Sequence, residues 1–233
     1  MPKDFCVLRF IDRELPEHIS LEGFVADFEA ALWQALKERF PRMPIQGCAF
    51  HWTQAVFRKV QENGLQTAYN KKDKVFKFVR QLLALPFLPP EQIEDAFHRL
   101  DGRAPEVLAP VMDYVYRTWI RSSIYEIHHW SVFMTAIRTN NDVEGWHNRL
   151  KTSVATRGPV PFYHLIVVLY KEAMDITLQM KMVSEGKIQR YQRKRTRQVE
   201  GRIFDLWQQY CERGINASQL LQGCASIYGP PPQ

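Results

Sequence analysis

The sequence predicts a mainly α-helical protein with a few short β-strands, and two observations support this. Apolar residues recur at intervals of three and four through most of the 233 residues, as they do on one face of a helix. The apolar runs that could form strands are short, and they neither alternate with helices nor pair into an evident hairpin. With 45% hydrophobic and 24% charged residues, the chain has the composition of a globular protein rather than a disordered one.

The first fifty residues contain both predicted strands. The apolar run Phe5–Ile11 predicts a short strand that ends before Pro16. The segment ADFEAALWQALKERF predicts an amphipathic helix, and Asp27 stands where its N-cap is expected. Ile45–Phe50 predicts a buried strand, which leads into a helix over about Thr53–Glu62.

Helices account for most of the remaining chain. Glycines and prolines break the stretch from Thr53 to Ile120 into several short helices. The helices predicted after residue 62 are Val75–Leu85, Pro90–Leu100, Val107–Ile120, Phe162–Met180 and Arg202–Glu212. The C-terminal GPPPQ is predicted to be frayed.

Charge, cysteine content and hydropathy narrow the classes of function. The chain carries 31 Lys and Arg residues against 25 Asp and Glu residues, and the net charge of +6 permits a nucleic-acid partner without requiring one. The four cysteines form no CxxC pair, which predicts free thiols in a reducing compartment. Because no apolar run approaches the length of a bilayer, no membrane partner is expected.

Three features could carry chemistry, and each has a simpler structural interpretation. Asp27 lies at a strand-to-helix junction, where it is either a metal ligand or the N-cap. Cys48 and His51 form a CxxH that supplies half of a tetrahedral Zn²⁺ site, with His147 as the one attractive third ligand, or they are core residues. Glu144 is a metal-binding carboxylate or, three residues after Asn141, the acidic member of a capping box.

A basic cluster follows the long predicted helix, in the segment KIQRYQRKRTR. It is either a nuclear import signal or a DNA backbone contact, unless it is a solvated helix face. The candidate DNA-binding residues are Lys187, Arg190, Arg193, Lys194, Arg195 and Arg197.

The motifs are more specific together than singly. In order, the chain contains DFEAA, GCAFHWTQAVFRKV, LPFLP, TWI, WSVF and RTNNDVEGWHNRL. From about Ala26 to at least Tyr170, this combination resembles the catalytic region of the Mutator-like (MULE) transposases. The resemblance implies a partial RNase H-like α/β transposase core with a helical insertion, DNA as the partner, Mg²⁺ as the cofactor and a nuclear location.

The resemblance also assigns roles to particular residues. In this family three acidic residues hold two divalent metal ions for DNA strand cleavage and joining, and Asp27 resembles the second and Glu144 the third. Such carboxylates suit Mg²⁺, which takes oxygen ligands, and paired ions stabilise the attacking and leaving oxygens. Cys48 and His51 resemble the CxxH of the family, whose role is structural or metal-related.

The first aspartate of the family has no counterpart in this sequence. Asp12 follows the first predicted strand, and fourteen residues separate it from Asp27. A parallel crossover alone needs about a dozen residues or more, so the further strands of the family would not fit between the two aspartates. We therefore expect Asp12 to be a surface residue. With two of the three carboxylates, the chain is expected to bind Mg²⁺ weakly and to be catalytically inactive by itself.

These observations predict three segments and leave two functions open. The segments are a divergent N-terminal part (1–25), the partial transposase core (26–180) with its helical insertion at about 53–120, and a basic helical C-terminal region (181–233). The first function is that of a transposase-derived protein of the Mutator-like family. The alternative is a non-catalytic nuclear protein that binds DNA or protein. A second copy of the chain and an intact transposase are further candidate partners.

Overall fold

The computed structural model describes residues 3–14, 21–155, 159–185 and 194–231, which belong to two units. The first unit comprises Met1–Thr139 together with Gln198–Gln233, and the second comprises Asn140–Arg197. The prediction of a mainly helical chain with short strands is confirmed. No helix in the described part of the chain has the length and apolar character needed to span a membrane.

The elements follow one another along the chain in this order. Up to residue 139 they are α1 (Lys3–Glu14), β1 (Phe24–Ala26), α2 (Ala30–Arg39), β2 (Ile45–Gly47), α3 (Ala49–Glu62), α4 (Gln66–Asn70), α5 (Lys74–Leu83), α6 (Pro90–Asp101), α7 (Ala109–Val115) and α8 (Ile127–Trp130). After residue 139 they are α9 (Asn141–Ser153), α10 (Phe162–Ser184), α11 (Lys194–Cys211) and α12 (Ala217–Ile227). Short 3-10 turns lie at Leu85–Phe87 and Glu106–Leu108, and a π-helical turn at Tyr116–Ile120 follows α7.

The two strands of the first unit pair in parallel and are connected through α2. Phe24 lies opposite Ile45, and Ala26 lies opposite Gly47. The pairing continues one residue further, because the Cys48 amide donates to the Ala26 carbonyl at 2.9 Å. The carboxyl ends of both strands therefore lie at the same edge of the sheet.

Two apolar clusters fill the first unit. The larger one joins α3, α5, α6 and α7 to α11 and α12, and fully buried Trp52, Phe97 and Trp207 are among its members. The smaller one fixes α2 against the two strands through Ala26, Trp33, Leu36 and Ile45. Burial of aromatic and aliphatic side chains on this scale is the main force that holds such short elements together.

Arg138 connects the strand region to the C-terminal helices. Its backbone carbonyl accepts a hydrogen bond from the Ala49 amide at 2.9 Å, at the first residue of α3. Its buried guanidinium lies 5.6 Å from the Trp207 ring centre and 3.4 Å from a Glu200 carboxylate oxygen. Because an isolated buried charge is costly, the carboxylate and the aromatic face are what make this position tolerable.

The N-terminal prediction of a strand at Phe5–Ile11 is wrong, since these residues lie within α1. A strand at this position would need a neighbour with which to exchange backbone hydrogen bonds. A helix satisfies its backbone internally, and α1 packs Leu8 against the smaller apolar cluster.

Several predicted helix boundaries were also wrong. The N-cap of α2 is Glu29 rather than Asp27, and α3 begins at Ala49 rather than near Thr53, so that His51 lies in its first turn. Val107–Ile120 is not one helix but a 3-10 turn, α7 and a π-helical turn. These differences are small in sequence, yet they decide which side chains face the edge of the sheet.

The C-terminal part is more ordered than the sequence predicted. Helix α12 was not predicted, although Asn216 and Gln219 form the capping box that starts it. The prediction of a frayed tail is wrong for its first residues. The Pro230 carbonyl accepts a hydrogen bond from the Tyr69 hydroxyl at 2.6 Å, and the Gly229 carbonyl accepts one from Arg80 at 3.0 Å.

Substitution of Gly47 by alanine is expected to destabilise the first unit by about 1–3 kcal/mol. A Cβ atom at this position would overlap with the Phe28 ring, which is itself in edge contact with Trp119. Urea denaturation measures the change. Gly201→Ala is the control, because a Cβ there meets nothing within 4 Å and alanine favours a helix. Equal stability of the two variants would contradict the close packing of Phe28 on β2.

The stability of the first unit is expected to decrease between about pH 6.5 and pH 4 because of His129. Burial, followed by the positive neighbours His128 and Lys37, lowers the pKa of His129 from 6.5 to about 4. Between these two pH values the unfolded chain binds a proton at His129 that the folded chain does not bind. The free energy of unfolding therefore decreases as the pH is lowered. Denaturation across this range should show a flatter profile for His129→Gln, and an unchanged profile for this variant would refute the assignment. His98→Gln, at an exposed site on α6, is the control.

Candidate metal-ligand cluster

Asp27, Cys48 and His51 come together at the carboxyl edge of the two-stranded sheet. Asp27 follows β1 directly and Cys48 follows β2, while His51 lies in the first turn of α3. His51 Nδ1 lies 2.7 Å from Asp27 Oδ1, and one ligand atom from each of the three residues lies within 4.8 Å of the others. Among the residues that the structure describes, this is the one group of three or more metal-ligating side chains.

The backbone around the cluster is held by specific hydrogen bonds. The Trp33 indole nitrogen donates to the Asp27 carbonyl at 2.6 Å, and Trp33 is fully buried. The Cys48 amide is bound to Ala26, and the next amide, that of Ala49, is bound to Arg138. Cys48 is therefore fixed in position and fully buried, whereas the Asp27 and His51 side chains are 46% and 21% exposed.

A cavity of about 340 Å³ opens beside the cluster, and Asp27 and His51 form part of its wall. Tyr114, Tyr125 and Arg58 line other parts of it. Burial and then the neighbouring Glu29 carboxylate raise the pKa of Tyr125, so this residue presents a neutral phenol. The cavity thus offers aromatic faces and one guanidinium next to the three ligand atoms.

The donor atoms of the cluster fit some metals better than others. Mg²⁺ prefers six oxygen ligands, and of the three side chains Asp27 alone supplies oxygen. A thiolate, an imidazole and a carboxylate are the ligands that Zn²⁺ takes in proteins. The chemistry of these three donor atoms therefore matches Zn²⁺ better than Mg²⁺.

The structure brings together Asp27, Cys48 and His51, which the sequence analysis assigned to two different sites. Asp27 was paired by resemblance with Glu144, and the CxxH was expected to lack a third ligand other than His147. The missed signal was the pattern in which Asp27 and Cys48 each follow a short strand directly, with a single helix between the strands. In a parallel βαβ unit such residues meet at one edge.

Glu144 and His147 lie on α9, in the second unit. The predicted capping box at Glu144 is wrong. The N-cap of α9 is Asn140, whose side chain forms no capping hydrogen bond, and Glu144 is the fourth residue of the helix rather than the third. The Glu144 amide donates to the Asn140 carbonyl at 3.1 Å.

Helix α9 is fixed to α10 through Glu172. The Trp146 indole donates to one Glu172 carboxylate oxygen at 3.1 Å, and Arg149 donates to the same oxygen at 2.7 Å. The hydrogen bond from Arg149 is the main cause of a lowered pKa at Glu172. These contacts orient the helix that carries Glu144.

Half of the basic cluster lies outside the described residues. These are Lys187, Arg190 and Arg193. The backbone of Lys194, Arg195 and Arg197 forms the first turn of α11, but their side chains are outside the description. The DNA-binding role of all six residues therefore stays a prediction.

Comparisons of the chain with models of protein families, with curated proteins and with solved structures found no match.

Glu172→Gln is expected to increase the amide hydrogen exchange of α9, because a neutral amide is a weaker acceptor for Arg149 and Trp146. Exchange measured by mass spectrometry over Asn141–Ser153 tests this. Lys171→Gln changes an exposed neighbouring charge on the same helix and should leave the exchange unaltered. If both variants exchange alike, Glu172 does not fix α9.

Proposed function

We propose that the chain is a Mutator-like transposase-derived protein that binds DNA at a divalent-metal centre and does not cleave strands by itself. One observation carries this proposal. The DFE and GCAFH motifs, which the resemblance identified as parts of a transposase core, supply Asp27, Cys48 and His51 to a single cluster beside an open cavity. A partial RNase H-like core built around β1, α2 and β2 is part of the proposal.

The surroundings of the cluster suit a phosphodiester. A metal ion at Asp27 and the guanidinium of Arg58 would both attract phosphate oxygens, and the aromatic walls of the cavity can contact sugar or base. Arg58 is exposed at this wall and accessible to a ligand. The chain would then hold DNA through charge and stacking, with the metal ion as a further positive centre.

Strand cleavage requires more than this centre. Two-metal phosphoryl transfer needs oxygen ligands that hold both ions a few Å apart. The resemblance assigns two of the three acidic residues of the family, Asp27 and Glu144, to this chain. We therefore propose a DNA-binding role, in the nucleus, in which a second copy or an intact transposase supplies any catalysis.

DNA affinity is expected to depend on both a divalent metal ion and Asp27. Fluorescence anisotropy with a labelled duplex would be measured with Mg²⁺, Mn²⁺ or Zn²⁺ and with a chelator. Asp27→Asn should weaken metal-supported binding about tenfold, or about 1.4 kcal/mol. Asp205→Asn, which makes the same charge change at an exposed position on α11, should not. Absence of DNA binding under all conditions would overturn the proposal.

Two further outcomes discriminate the alternatives. Binding that ignores metal ions but falls steeply with salt, and that is lost when Arg193, Lys194 and Arg195 are neutralised, would favour the non-catalytic protein that binds through the basic cluster. Metal-dependent nicking of plasmid DNA that Glu144→Ala abolishes would refute the expected inactivity of the chain.

A further inference from the structure

We infer that Asp27, Cys48 and His51 form a three-ligand Zn²⁺ site whose fourth coordination position faces the cavity. This inference concerns the cluster on which the proposed function also rests, but it does not require DNA to be the partner. It names the metal ion, and it differs from the Mg²⁺ centre that the resemblance implies.

The choice of donor atoms is the first argument. Cys48 offers sulfur, His51 offers a ring nitrogen and Asp27 offers a carboxylate oxygen. Thiolate and imidazole favour Zn²⁺ strongly over Mg²⁺, which binds oxygen almost exclusively. Three protein ligands and one position left for water or a substrate oxygen is the usual composition of a reactive zinc site.

The second argument is geometric. Tetrahedral zinc with bonds of 2.0–2.3 Å places its ligand atoms about 3.5 Å apart. The ligand atoms of the cluster lie within 4.8 Å of one another, and His51 Nδ1 lies 2.7 Å from Asp27 Oδ1. Shifts of about 1 Å therefore admit the ion. The partly exposed Asp27 and His51 side chains can make them by rotation, with Cys48 as the fixed ligand.

The third argument is that the fold fixes Cys48 between β2 and α3. Cys48 is the N-cap of the 14-residue helix α3, where the helix dipole favours negative charge. Zinc binding would replace the direct contact between Asp27 and His51 with two metal–ligand bonds, and the Cys48 thiol would release its proton to solvent.

The cavity supplies the fourth position. It has a volume of about 340 Å³, and both Asp27 and His51 contribute to its wall. That volume accommodates a metal-bound water and part of a ligand. A ligand oxygen entering from the cavity can thus displace the water without disturbing the three side chains.

Titration with Zn²⁺ and with Co²⁺ tests the site on the full chain without DNA. We expect one equivalent of Zn²⁺ per chain, an increase in thermal stability and, for Co²⁺, a tetrahedral visible spectrum with a sulfur charge-transfer band. Asp27→Asn, His51→Asn and Cys48→Ala should each lower the zinc affinity more than about tenfold. Only Cys48→Ala should also remove the sulfur band.

Matched controls keep the test decisive even if one variant folds poorly. Cys211→Ser and His98→Asn change exposed residues of the same types and should leave the stoichiometry and the spectrum unchanged. Loss of the sulfur band in Cys211→Ser but not in Cys48→Ala would overturn the inference, and so would the absence of saturable binding. If Asp27→Asn lowers thermal stability without changing metal uptake, the cluster is only a hydrogen-bonded contact and the inference fails.

The zinc site and the proposed function can fail separately. Stoichiometric zinc without any DNA affinity would leave the site in place and refute the proposed function. DNA binding that needs Asp27 and Mg²⁺, together with no zinc uptake, would support the proposed function and refute the zinc site.

Discussion

The parallel pairing of β1 with β2 is the constraint on which the arrangement of this protein depends. Only three residue pairs join the strands, yet the direction of the pairing decides where Asp27 and Cys48 lie. In an antiparallel pair the two strand ends would lie at opposite edges, and the residues that follow them would not meet. Helix α2, which makes the crossover, also supplies Trp33, whose indole holds the Asp27 carbonyl. The parallel direction of the strands thus makes Asp27 and Cys48 neighbours, although they are 21 residues apart in sequence.

The helical character of the chain could be read from periodicity because its apolar stripes are long. Helices α3, α5 and α6 were found in this way, since each buries a continuous face against the larger core. Short apolar runs were harder to interpret. FCVLRFI has the residues of a strand, but only its surroundings decide whether a neighbouring strand is present, and here none of the described strands pairs with it. Helix α12 was missed because its starting signal, Asn216 with Gln219, stands in a small polar segment without a clear stripe.

The sequence pointed to each residue of the candidate site, but not to the fact that the three residues form one cluster. Asp27, Cys48 and His51 were each singled out as chemically competent residues, and the resemblance to a transposase drew attention to two of their motifs. Their union was not foreseen, because sequence order separates them and the start of α3 was placed four residues too late. With that start, His51 stood at a strand end. In the structure His51 lies about one helical turn from Cys48, and its ring contacts the Asp27 carboxylate.

The first unit is discontinuous in sequence, and this affects the order in which its parts can fold during synthesis. Its larger core needs Trp207, Leu220 and Leu221, which are synthesised well after the rest of that core. Until then the apolar faces of α3, α5 and α6 remain open, and contacts between residues so distant in sequence form slowly. The ligand cluster, by contrast, draws its side chains from a short early stretch. The side chains of the cluster are therefore synthesised before the core that surrounds them is complete, and their final positions depend on later residues such as Arg138, whose carbonyl binds the Ala49 amide.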